Sequence, residues 1–131
     1  MRLVVDASVA VEYLLRTALG RRVAPRIEQV ELLAPELLDV EVLAVLRRAH
    51  LAGRLGEARA REATKDLCDW PVRRLTHRPL LALAWSFRKN LSAYDALYVS
   101  AARLYDAHLL TADGPLSRAP RTGVVIENVR A

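Results

Sequence analysis

Arg2-Leu3-Val4-Val5-Asp6-Ala7-Ser8 is the stretch on which the fold turns. A run of three aliphatic residues, two of them β-branched, stops at a carboxylate, which is the pattern of a strand buried on both faces. Directly behind it, Ser8 is placed to cap a helix that carries Val9, Val11, Tyr13, Leu14 and Leu15 as far as Arg16. A strand feeding a helix is the opening unit of an α/β fold. The pattern then repeats. A helix over Leu19 to Val30 precedes a second strand at Glu31 to Ala34. Pro35 stands where a first helical turn tolerates proline, with Glu36 favourable to the helix dipole. Leu38, Val42, Val45, Leu46 and Ala49 then recur at helical spacing until Gly53. Gly56 to Asp69 reads as a charged helix closed by Trp70-Pro71, because the residue before proline disfavours helical geometry. Val72 to Leu75 is the next strand, and Leu80 to Lys89 a helix by its length. Ser92 opens another helix with Tyr94, Leu97, Tyr98, Ala101 and Leu104. Leu109 to Thr111 and Val124 to Ile126 are two late strands. This alternation predicts a mostly parallel central sheet of four to five strands with helices on both faces, since parallel neighbours need crossover connections.

The 131 residues are 53% hydrophobic and 27% charged, which suits one domain spanning 1–131. At that size roughly two-thirds of the unfolded chain's surface leaves water on folding, so neither disulfides nor a structural zinc are needed. Cys68 has no partner cysteine, and a reducing cytoplasm is the expected location. Asp6 and Glu12 interrupt the apolar stretch from Arg2 to Leu15, so neither a signal-peptide core nor a membrane span is expected there. The formal charge is +5, and 18 of the 20 basic residues are arginine. Such a balance tolerates a polyanionic partner without requiring one, because the arginines are scattered along the chain. His50, His77 and His108 lack metal-ligand spacing. The glycine-rich loops of dinucleotide-binding, Walker-type and α/β-hydrolase proteins are absent, so a phosphate has to be bound by other means.

Ligands of open parallel sheets sit beyond the carboxyl ends of the strands, which directs attention to the acids found there. Asp6 ends the first strand, and Asp113 follows the strand that finishes at Thr111. Asp95 lies in the first turn of the helix after Ser92, and Glu41 one turn into the helix after Pro35. Each acid has a structural reading of its own. Asp6 suits a helix cap, Ser92-Ala93-Tyr94-Asp95 matches a capping box, Asp113-Gly114 is a turn signal, and Glu41 suits a solvated helix flank. Topology nevertheless offers one sheet edge to all four. Clustered carboxylates repel one another unless a cation neutralises them, and an all-oxygen set points to Mg²⁺ or Mn²⁺. Tyr94, Tyr98 and Tyr105 are expected to pack between helices, given their spacing.

Val4-Val5-Asp6-Ala7-Ser8, Pro35-Glu36-Leu37-Leu38-Asp39-Val40-Glu41-Val42, Leu91-Ser92-Ala93-Tyr94-Asp95-Ala96-Leu97-Tyr98 and Leu109-Leu110-Thr111-Ala112-Asp113 together resemble the PIN-domain family. Within it, the closest likeness is to the VapC-type toxins of toxin–antitoxin pairs. Each motif is short, but as an ordered set they cover nearly the whole chain. The resemblance implies a PIN-like three-layer sandwich and a metal-dependent endoribonuclease that leaves a 5′-phosphate. It also implies a homodimer and a VapB-type antitoxin that holds the toxin inactive. Carried onto this sequence, it makes Asp6, Glu41, Asp95 and Asp113 the catalytic acids. Asp6, Asp95 and Asp113 are then metal ligands, Glu41 serves the attacking water, and Ser8 and Thr111 are polar supports. Some relatives carry a further acid where Gly114-Pro115-Leu116-Ser117 offers only Ser117, so the resemblance leaves open whether one ion or two bind here.

Two kinds of rival reading stand beside this one, another enzyme and a non-enzymatic module that is either a phospho-receiver or a silent domain. A phosphatase of the haloacid dehalogenase type also uses a strand-terminal Asp, but Asp6-Ala7-Ser8-Val9-Ala10 lacks the second Asp and the Thr of its DxDxT motif. A phospho-receiver needs paired acids at the first strand and a late lysine, neither of which is present. A catalytically silent PIN-like module that binds nucleic acid or protein keeps the same fold, and only retention of all four acids argues against it.

Overall fold

The computed structural model describes residues 1–130. Five strands, β1 (Arg2–Val5), β2 (Glu31–Pro35), β3 (Val72–Leu75), β4 (His108–Thr111) and β5 (Ile126–Asn128), form one sheet in the order β3-β2-β1-β4-β5. Every neighbouring pair is parallel. The chain therefore winds from the central β1 outward to β3, then crosses back to β4 on the other side. The strand order reverses between β1 and β4, which makes their carboxyl ends the switch point where open α/β sheets bind ligands. Leu3, Val4 and Val5 are all fully buried although successive strand residues face opposite sides, so β1 is covered on both faces.

Seven α-helices accompany the sheet among the described residues: α1 (Ala7–Leu14), α2 (Ala18–Ile27), α3 (Leu37–Leu51), α4 (Glu57–Asp69), α5 (Leu81–Ser86), α6 (Ala93–Leu104) and α7 (Gly114–Ser117). α6 lies against β2, β1 and β4, while α1 packs on α2 and α3, and α4 on α3. The crossing of α1 and α2 is close enough to demand a glycine. A Cβ on Gly20 would stand 1.9 Å from the Glu12 carbonyl oxygen and 2.5 Å from its carbon.

Four local expectations need correction. Asp6, not Ser8, is the N-cap of α1, and its carboxylate accepts from the Val9 amide. Pro35 ends β2 instead of opening α3. The β1 ladder stops at Leu33, so a residue without an N–H costs nothing on that side, and on the other side Pro35 stands opposite Leu75. The segment expected as a helix from Leu80 to Lys89 is a 3₁₀ turn over Arg78–Leu80 followed by the short α5, which ends at Ser86. Beyond it the amides of Asn90 and Leu91 both turn back to the Phe87 carbonyl. Finally, β5 spans Ile126–Asn128, not Val124 to Ile126. On an edge strand one face need not be apolar, and Glu127 is held there by Arg26 and His108 while Val125 is 54% exposed.

Candidate active site

Register builds the centre of the site. Val5 stands opposite Leu110, so Asp6 and Thr111 leave the sheet side by side, and the Asp6 amide still donates to the Leu110 carbonyl at 3.3 Å. Asp6 is only 6% exposed. Its Oδ1 accepts from Ser8 Oγ at 2.5 Å and from the Val9 amide at 3.2 Å, and its Oδ2 accepts from Thr111 Oγ1 at 2.5 Å. Thr111, fully buried, also accepts from the Asp113 amide at 2.9 Å, and Ser8 Oγ accepts from the Ala112 amide at 2.8 Å. The two hydroxyls thus tie the end of β4 to the head of α1, with Asp6 between them. Burial raises the pKa of the Asp6 carboxyl, and the hydrogen bonds from Ser8, Thr111 and Val9 oppose that rise without cancelling it.

Three further acids border this centre from different elements. Asp95 projects from the first turn of α6, half-buried. Its carboxyl pKa is raised first by burial and then by the negative charges of Asp113, Asp6 and Glu41. Asp113, Asp6 and Glu41 are thus each within electrostatic reach of Asp95. Ser92 caps α6 by accepting from the Asp95 amide at 3.1 Å, but the return bond of a capping box is not made among the described residues. Asp113 caps α7 without a side-chain bond and is half-buried. Glu41, on α3, is half-buried and not the solvated flank residue that its position on the helix also allowed. Its Oε1 accepts from the Tyr98 hydroxyl at 2.7 Å. Ser117, the only polar residue in the position of a possible fifth acid, donates to the Gly114 carbonyl within its own turn.

Tyr98 is the member of this group that sequence reasoning assigned to packing alone. It does pack, at 2% exposed, but its hydroxyl also reaches a site acid from another helix. A signal was present: Tyr98 follows Asp95 by three residues, which puts the two on adjoining parts of one helix face. Tyr94, by contrast, is 59% exposed and does not pack between helices. Tyr105 is partly buried, with the Arg73 guanidinium 5.2 Å from its ring centre.

None of the four acids pairs with a basic side chain among the described residues; the ion pairs all lie elsewhere. Uncompensated carboxylates and hydroxyl oxygens form a hard, all-oxygen donor set, and such a set fits a Mg²⁺-like cation. As they stand, no three His, Cys, Asp or Glu side chains among the described residues are close enough together to hold one ion. The arrangement is an open rim of charge around Asp6, not a closed cage.

Residues 3–121 match a family model described as PIN domain. The chain belongs to the PIN-domain family. Among curated relatives, Ribonuclease VapC1 of Mycobacterium tuberculosis is 43% identical over 98 residues, 74% of either chain. Among solved structures, PAE2754 of Pyrobaculum aerophilum superposes with a TM-score of 0.71 at 24% identity, covering 98% of this chain and 84% of that one. VapBC2 of Rickettsia felis, solved bound to a DNA fragment from their promoter, gives 0.70 at 11% identity, covering 97% and 98%. These likenesses establish the PIN fold expected from the four motifs. This PIN domain also has a five-stranded, wholly parallel sheet, where the sequence pointed to a mostly parallel one. No described helix is long and apolar enough to cross a membrane.

Proposed function

We propose that this PIN domain is an endoribonuclease that hydrolyses RNA phosphodiester bonds and acts as the toxin of a VapBC-type pair. The observation that carries the reading is that Asp6 leaves β1 at the switch point while the charges of Asp113, Asp6 and Glu41 all bear on Asp95, and that none of the four acids has a basic side-chain partner among the described residues. Homology to a protein named as a ribonuclease supports the reaction class.

Asp6, Asp95 and Asp113 are the residues to hold a divalent ion, Mg²⁺ or Mn²⁺, directly or through water. When bound, such an ion supplies positive charge that polarises a phosphate oxygen and makes water a better nucleophile at neutral pH. The protein's own contribution begins with Asp6. Ser8, Thr111 and the Val9 amide fix its carboxylate in one orientation, so that the negative charge presented to the ion needs no reorganisation. Glu41 is the base for the attacking water. It takes one proton from the water as the water oxygen bonds to phosphorus and the bond from phosphorus to the 3′ oxygen breaks, and the departing 3′ oxygen takes a proton from solvent water, leaving a 5′-phosphate and a 3′-hydroxyl. A rim of four carboxylates repels RNA unless the ion is present, which makes cleavage strictly metal-dependent.

The remaining parts of the reading rest on the VapC likeness. They are a VapB-type antitoxin as protein partner, a homodimer, a cytoplasmic location, and residues 1–131 acting as a single domain. The test is cleavage of labelled cellular RNA by the purified chain with Mg²⁺ or Mn²⁺, beside an Asp6→Asn variant and an EDTA control. Discrete cleavage lost in both controls is the expected result. Full metal-dependent activity in Asp6→Asn overturns the site, and absence of cleavage with retained RNA binding favours a silent module. Phosphate release from small phosphoesters points to a phosphatase instead.

A further inference from the structure

We infer that Tyr98 is a positioning residue for this reaction, its hydroxyl holding the Glu41 carboxylate in the orientation from which it serves the attacking water. The inference rests on the ribonuclease reading above and adds a residue to its machinery. Glutamate on a half-buried helix flank has three rotatable bonds and many accessible placements, and an unanchored base spends little time in the productive one. The phenol of Tyr98 is an anchor of the opposite kind. The residue is 2% exposed within the hydrophobic core, so its few torsions are locked by packing. Its one described side-chain partner is Glu41 Oε1 at 2.7 Å, across 57 residues of sequence.

A buried phenol satisfied by an apolar neighbour would need no hydroxyl at all, and packing alone is met equally well by phenylalanine. The hydroxyl instead donates to a carboxylate, an acceptor with which hydrogen bonds are short and strong. Burial together with the Glu41 bond and charge keeps the phenol fully protonated, and the Asp6 charge adds to this. Tyr98 therefore remains a donor throughout the working pH range. One helix thereby carries two functions. Asp95 in the first turn of α6 faces the acids of the sheet edge, and Tyr98 one turn later fixes an acid that belongs to α3.

The test combines Tyr98→Phe with Glu41→Ala, singly and together, with RNA cleavage kinetics and Mn²⁺ affinity of the RNA-free chain measured for each. Losing a charge-assisted hydrogen bond that orients a base is expected to lower kcat roughly 10- to 100-fold. KM and Mn²⁺ affinity should stay within about twofold of the parent, because neither depends on where Glu41 points. In the Glu41→Ala background, Tyr98→Phe should cost nothing further, since there is no carboxylate left to place. Wild-type kcat in Tyr98→Phe overturns the inference. So does an equal loss in both backgrounds, which means Tyr98 acts through packing, and so does a parallel loss of Mn²⁺ affinity, which means it acts through the ion. A parent chain whose cleavage survives Asp6→Asn overturns the ribonuclease site itself, and the inference falls with it.

Discussion

Replacing Thr111 by valine removes one hydroxyl and almost no volume, at the point where two site acids are joined. The hydroxyl donates to Asp6 Oδ2 and accepts from the Asp113 amide, and its residue is fully buried. A hydrogen bond to a charged, buried acceptor contributes about 1.5–3 kcal/mol. The Asp113 amide belongs to a half-buried residue that water can reach, so its loss adds only about 0.5–1 kcal/mol. Thr111→Val should therefore destabilise the chain by about 2–4 kcal/mol. Thr111→Ser is the control, because it keeps the hydroxyl and deletes a buried methyl group at about 1 kcal/mol. For a chain of 131 residues, each kcal/mol shifts Tm by about 3–5 °C. Urea and thermal unfolding in EDTA thus separate the two variants clearly.

The pH dependence of that deficit has a defined sign. The Asp6 carboxyl pKa lies above its ordinary value of 3.8 because burial outweighs the hydrogen bonds that lower it. Between the unfolded and folded values the native state holds more protons, so the contribution of Asp6 is full below the unfolded pKa and is lost as pH rises through the folded one. Removing the Thr111 bond pushes the folded pKa further up. The deficit of Thr111→Val should then be smallest at mildly acid pH and grow towards neutrality. A larger cost for Thr111→Ser than for Thr111→Val, or a deficit that grows on acidification, refutes the reasoning and makes Thr111 a packing residue.

Other perturbations follow from the same geometry. Asp95→Asn removes a charge disfavoured by burial and by its three acidic neighbours, so the metal-free chain should unfold at a higher urea concentration at neutral pH while RNA cleavage is lost; an unchanged or lower midpoint counts against mutual repulsion. Gly20→Ala drives a Cβ into the backbone of α1, and a loss of at least about 3 kcal/mol in chemical denaturation is expected. Arg74 donates to the carbonyls of Leu67 at 2.6 Å, Trp70 at 2.7 Å and Val72 at 3.1 Å, clamping the end of α4 to β3. Arg74→Met should cost about 3 kcal/mol. Asp39→Asn, which removes only the charge of its 43% exposed ion-pair partner, should cost less than about 1 kcal/mol in the same assay.

Local causes set the local elements. Val72 to Leu75 is bounded by Pro71 and a change of pattern, and it is a strand with those limits. Ser92 has the side chain and sequence position of a cap, and α6 begins there. The four acids could be nominated because each sits where a strand ends or a helix begins, and such positions are marked by short-range chemistry. The misreadings have a common origin too. Pro35 suits a first helical turn, whereas its place is decided by how far the β1 ladder runs beside it. The most apolar late residues are Val124 to Ile126, but an edge strand can carry Glu127 once Arg26 and His108 arrive from elsewhere.

By itself, then, the sequence determined the alternation of strands and helices, the parallel sheet and the identity of the candidate acids, because periodicity and capping act over a few residues. Only the tertiary structure decided that β1 is central with β4 beside it, that Thr111 grips Asp6 Oδ2, and that the Tyr98 hydroxyl meets Glu41. Periodicity states that a face will be buried and leaves open what buries it. The partners here lie 57 and 105 residues apart, and only packing of the whole chain brings them into contact.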